Sequence, residues 1–135
     1  SLNDLKTLGY KPQDFPELPS TKSIYRSAFY LIEHVDPVTL VGYAYFLEYL
    51  TIAGGNQLLE IVEPLYGPRA VRHLTVHTKE DPGHVDAVEK MLETMSEKDN
   101  IFLEDSISTI AAEFERMLLE VNARSGVARG KKTAA

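Results

Sequence analysis

The octapeptide His77-Thr78-Lys79-Glu80-Asp81-Pro82-Gly83-His84, "HTKEDPGH", decides how this chain is read. An aspartate follows the first histidine by four positions and precedes the second by three, spacings that one helix face can use. Pro82 and Gly83 stand between them, and both residue types usually end helices. If a helix ends here, Asp81 caps a new one whose first residue is Pro82, and the histidines need not face each other. If the helix runs through, His77, Asp81 and His84 continue a stripe of Val71, Leu74, Val88 and Leu92 at steps of three and four residues, where apolar side chains belong. A proline in a helix interior costs about 3 kcal/mol, so a through-running helix needs compensation. Metal coordination would supply it: buried ionised groups pair or bind metal, and two imidazoles with a carboxylate are the ligand set of a non-haem iron site.

Working outward, proline and glycine punctuate the rest of the chain. Residues 1–20 carry Gly9, Pro12, Pro16 and Pro19 and read as an irregular lead-in with a short helical turn over Leu2–Leu8. Ser20 or Thr21 is the expected cap of a helix over Lys22–His34. Asp36-Pro37 signals a second start, and Val38–Ala53 follows, apolar nearly all round, the pattern of a central buried helix. Gly54-Gly55 is expected to bend or break it. Asn56–Glu63 is a short helical piece closed by Pro64. Pro68–Met95 is helical in pattern, with the octapeptide in its middle, and Lys98-Asp99-Asn100 makes a turn. Ile101–Val121 closes the fold on a stripe of Ile107, Ile110, Phe114 and Val121, with Met117 or Leu118. No hairpin signal or sustained alternation competes. The expectation is an all-α bundle of about four main helices: a helical domain over residues 21–122 and a flexible basic tail over 123–135.

Composition bounds the function. With 135 residues the chain is long enough to bury a core as one domain. A net charge of −6 argues against a general nucleic-acid binder. There is no cysteine, hence no disulfide framework and no thiolate chemistry. No apolar run reaches the roughly 18 residues of a membrane span; the richest, Leu40–Ala53, is interrupted by Glu48. No secretory signal is present, and a cytoplasmic protein is expected. The chain starts with Ser rather than Met, which suggests processing or a piece of something longer.

Glu48 strengthens the metal reading. It is the single charged residue in its helix, on the face of Val41, Tyr45 and Ile52. It could snorkel or pair with Arg26, Arg69 or Arg72. Alternatively, it faces the His/Asp/His stripe, and a metal neutralises both; a bridging carboxylate also permits two metals. The other candidates are weaker. His34 at a helix end is expected to serve the helix dipole, and His73, one step off the stripe, to be exposed or semi-exposed. Tyr43, Tyr45 and Tyr49 are core or pocket wall, with Tyr45 and Tyr49 the candidates for a substrate pocket. There is no phosphate loop and no nucleophile elbow.

The stretch "LPSTKSIYRSAFYLIEHVDPVTLVGYAYFLEYL" (Leu18–Leu50) followed by "HTKEDPGHVDAVEKML" (His77–Leu92) resembles the haem-oxygenase-like di-iron oxidases, also called iron-containing redox enzymes. These share the all-helical fold of haem oxygenase and thiaminase II. In that family a glutamate on a central apolar helix is followed, about one helix later, by His-x-x-x-Asp-x-x-His. Glu48, His77, Asp81 and His84 match those four positions one by one, and the likeness runs from about Pro19 to Val121. The family's site is completed by a glutamate and a histidine seven residues apart on an earlier helix, and no Glu-x6-His occurs here. The resemblance therefore implies the C-terminal half of such an enzyme, its missing Glu and His supplied by an upstream segment or a partner chain. His34 lies too close to Glu48 to stand in.

By that resemblance the complete site holds two Fe(II) ions, and this chain alone holds one or none. The implied activity is dioxygen activation and oxidation of a small organic substrate, with N-oxygenation, oxidative C–C cleavage and desaturation as outcomes within the fold. Glu48 would bridge or chelate, with His77, Asp81 and His84 as terminal ligands. A homodimer is compatible with this reading. Two alternatives remain. One is a cofactor-independent relative, thiaminase-like or quinone-cofactor-synthase-like, with histidines in acid–base roles. The other is a non-catalytic helical interaction module whose polar cluster is a buried network.

Overall fold

The computed structural model describes residues 1–132, with side chains to residue 125, and these residues are helical with no strand. The helices are α1 (Leu2–Thr7), α2 (Pro19–His34), α3 (Thr39–Leu50), α4 (Asn56–Tyr66), α5 (Arg72–Leu92) and α6 (Glu97–Lys132). A 3-10 turn, Pro12–Asp14, follows α1, and a π turn, Thr51–Gly55, joins α3 to α4. The all-α expectation holds. No helix among the described residues is long and apolar enough to cross a membrane. Residues 133–135, the end of the expected tail, lie outside the described residues.

Several expected boundaries are corrected. α2 starts at Pro19, not after a Ser20 or Thr21 cap. Proline fits the first helical position because it has no N–H to leave unpaired. The Ser20 hydroxyl is instead given to the carboxylate of Glu120 at 2.5 Å. Asp36 does open the next segment: its Oδ1 accepts the Val38 N–H at 3.0 Å, and its carbonyl accepts the Thr39 hydroxyl. Gly54-Gly55 neither breaks nor ends the helix, which widens there into the π turn and continues as α4. Pro64 lies inside α4, whose end is Gly67 at φ +80°, the left-handed conformation that glycine takes most readily. Lys98-Asp99-Asn100 is not a turn but the first turn of α6, where Ser96 Oγ accepts the Asp99 N–H.

The chain forms two compact units. One comprises Glu17–Tyr43 and the chain from Ile101 onward. Its buried stripe is Ser20, Ile24, Ala28 and Leu31 on α2, with Leu103, Ser106 and Ile110 on α6 and Thr39 and Gly42 on α3. Gly42 lets α3 touch α6: a Cβ there would stand 2.7 Å from the Leu103 carbonyl oxygen. Beside it the Ser106 hydroxyl donates to the Thr39 carbonyl at 2.7 Å.

The other unit comprises Ser1–Pro16 and Ala44–Asn100. The buried carboxylate of Asp4 accepts the backbone N–H of His73 at 3.0 Å, fastening α1 to the open N-terminus of α5. Burial would push the Asp4 carboxyl up. That N–H, with the N-terminal ammonium and the Ser1 hydroxyl, outweighs burial and holds it below its ordinary value. α5 packs chiefly on the π turn. The contact is close because Gly55 has no side chain: a Cβ there would meet the Thr78 methyl at 2.7 Å. α3 is not the buried central helix its composition suggests, for only Thr39 and Gly42 are buried along it. α4 buries no residue, and Leu58, Ile61 and Leu65 on its apolar stripe are exposed.

Candidate metal centre on α3 and α5

α5 runs from Arg72 to Leu92 without a break, with Pro82 inside it. Proline forfeits the bond to the carbonyl four residues back, that of Thr78, and Pro82 and Gly83 both lie on the exposed side of the helix. The through-running alternative is the observed one, so His77, Asp81 and His84 share a face.

Their burial is graded. Asp81 is only 1% exposed, whereas the side chains of His77 and His84 are 42% and 59% exposed. The aspartate is the floor of the site, and the imidazoles are its open rim. His77 Nδ1 lies 2.9 Å from Asp81 Oδ1 and 3.1 Å from Oδ2. His84 Nδ1 lies 3.9 Å from Asp81 Oδ1 and 3.5 Å from Glu48 Oε1. Glu48, on α3, is 28% exposed and pairs with His84, not with any of the three arginines considered for it. All four expected residues therefore meet in one cluster.

A fifth member, Thr51, was not expected. Its hydroxyl shares one proton between two acceptors, the Glu48 carbonyl at 2.7 Å and Asp81 Oδ2 at 2.6 Å. This residue opens the π turn, so Asp81 is anchored where the helix widens. π turns inside α-helices are frequent at functional sites. The sequence signal was faint: a threonine three residues past Glu48, just before paired glycines.

The remaining candidates are placed as follows. Tyr45 donates its hydroxyl to Glu89 Oε1 at 3.1 Å and stacks on Tyr49 at 5.8 Å between ring centroids. Burial, then the Glu89 carboxylate, pushes the Tyr45 phenol up. Tyr49 is exposed. His73 packs edge-on against His77, their centroids 4.3 Å apart. Desolvation of the His73 ring, then the charge of His77, pushes its pKa down against the pull of Asp4 and Asp81. His34 ends α2 in contact with the Tyr30 ring.

The cluster brings together residue types that serve as cation ligands or proton carriers. Among the described residues, no three His, Asp or Glu side chains already stand around a common ion position. The residue types are nonetheless those that bind divalent ions, and they are linked in a chain, Glu48 to His84 at 3.5 Å, His84 to Asp81 at 3.9 Å and Asp81 to His77 at 2.9 Å. Two imidazoles and two carboxylates suit iron, and four side chains cannot saturate two ions. The chain matches no family model, no curated protein and no solved structure.

Proposed function

We propose that this chain carries the metal-binding half of a haem-oxygenase-like non-haem iron oxidase, acting in the cytoplasm on a small organic substrate. One observation carries the reading: Glu48 from α3 contacts His84 of α5, and His84 and His77 both stand against the almost fully buried carboxylate of Asp81. Such a charge is costly to bury without a counter-charge, and a divalent cation answers it. Glu48, His77, Asp81 and His84 would hold one iron, and the bound iron would supply dioxygen activation. Asp81, fixed by Thr51, sets the depth of the site. The exposed imidazoles leave an open side, and Tyr45 and Tyr49, on the helix that carries Glu48, are the candidate substrate-contacting residues. A Glu and a His from an upstream segment or a partner chain would complete a two-iron site. The uncovered apolar stripe of Leu58, Ile61 and Leu65 on α4 supports such a covering element, since apolar surface gains from burial.

The chain of hydrogen bonds from Thr51 through Asp81 to His77 favours a second reading, in which a carboxylate-oriented histidine works as an acid–base group without metal. Oxygen uptake separates the two. Chain loaded with Fe(II) without oxygen, then exposed to it, is expected to consume O2 at a rate distinct from free Fe(II). Glu48→Ala and His84→Ala are expected to return the rate to that of the free ion. Equal rates for wild type and free ion would dismiss the oxidase reading.

A further inference from the structure

We infer that His73 and His77 form a two-imidazole clamp for a divalent transition-metal ion, at the end of α5 away from Glu48 and His84. The two residues are four apart on one helix, so their rings lie one turn from each other on the same face. Their centroids are 4.3 Å apart with planes at 68°. Two imidazoles in neighbouring positions on one ion, with metal–nitrogen bonds near 2.1 Å, put their centroids roughly 4.5 Å apart. The rings already stand at chelating distance.

The hydrogen bonding leaves the needed nitrogens free. His77 gives Nδ1 to Asp81, and its Nε2 makes no hydrogen bond or ion pair among the described residues. Among the described residues neither ring nitrogen of His73 is hydrogen-bonded, and its backbone N–H donates to Asp4. A metal-binding histidine usually donates its second N–H to a carboxylate, which fixes the tautomer and ring orientation, and Asp81 stands in that relation to His77. Both rings reach solvent, so an ion has access. Imidazole pairs favour copper and nickel over iron by the ordering of divalent affinities. The clamp and the four-residue cluster share His77, so one ion on the clamp and one on the full cluster exclude each other. A late-transition ion would then compete with iron for this helix.

The inference does not require the iron reading, and Cu(II) tests it apart from that reading. In Glu48→Ala/His84→Ala protein, with the fold checked by circular dichroism, one equivalent of Cu(II) is expected to bind. Its electron paramagnetic resonance spectrum should show splitting from two imidazole nitrogens. Adding His73→Ala is expected to reduce the splitting to one nitrogen and weaken binding by about tenfold or more. His73→Gln, which retains side-chain bulk, should do the same. Unchanged affinity and splitting on loss of His73 would overturn the clamp, as would loss of Cu(II) binding in the double variant itself. Fe(II) uptake by the single variant His73→Ala, in which the four cluster residues are intact, reports on the iron reading separately.

Discussion

Asp81→Asn puts the most direct strain on the account of the cluster. The Asp81 side chain is almost wholly enclosed and has two partners, the Thr51 hydroxyl at 2.6 Å and His77 Nδ1 at 2.9 Å. Asparagine has the same shape and can keep both contacts: its carbonyl oxygen accepts from Thr51, and its amide donates to His77 in the other tautomer. What disappears is the charge. Enclosing a carboxylate costs several kcal/mol before pairing, so without metal the variant is expected to be as stable as wild type within about 1 kcal/mol, or more stable. With metal the order reverses. Fe(II) at about a hundredfold its dissociation constant stabilises a one-site protein by about 2.7 kcal/mol. For a chain of this length that raises Tm by roughly 10 °C. The assay is anaerobic thermal unfolding with and without Fe(II). Wild type should show the rise, and Asp81→Asn should lose most of it. A metal-free Asp81→Asn that unfolds several kcal/mol more easily, with no Fe(II)-dependent rise in wild type, would refute the reasoning and favour a purely structural network.

Two further predictions concern how the cluster is held. Gly55→Ala places a methyl 2.7 Å from the Thr78 methyl, and overpacking of this kind costs about 1–3 kcal/mol. Because the same contact sets the spacing of the π turn from α5, Fe(II) affinity measured by equilibrium dialysis should fall together with the denaturation midpoint. Asp4→Asn tests the fastening of α1 to α5. The folded-state pKa of Asp4 lies below its ordinary value of 3.8, so its contribution is present above that value and is lost as pH falls through the depressed one. Urea unfolding at pH 6 should show the variant weaker by about 1 kcal/mol, the usual worth of a helix N-terminal bond. The gap should close as the pH is taken well below 4.

The order of helices and the shared face of His77, Asp81 and His84 were legible in the sequence because both rest on periodicity. Steps of three and four residues carried Val71 through His84 to Leu92 across Pro82 and Gly83, and α5 is continuous there. What periodicity cannot show is which faces are covered. α3 is apolar on all sides, yet Thr39 and Gly42 are its buried residues, because burial depends on neighbours and not on composition. Helix starts were misplaced where a capping side chain was used elsewhere. Ser20 looked like a cap, but its hydroxyl is bound to Glu120, a hundred residues later. The π turn was hidden by Gly54-Gly55, which reads as a break. Its first residue, Thr51, gives its hydroxyl to a residue thirty positions away, and no local pattern reports such a contact. The proposal of iron rests on the resemblance and on donor chemistry.

Iron content per chain after anaerobic Fe(II) loading and desalting tests the central claim most directly. Wild type is predicted to retain about one iron, with Glu48→Ala, His77→Ala and His84→Ala each retaining much less. Wild type that keeps no more iron than a variant lacking all three side chains would contradict the claim that this cluster is a metal site.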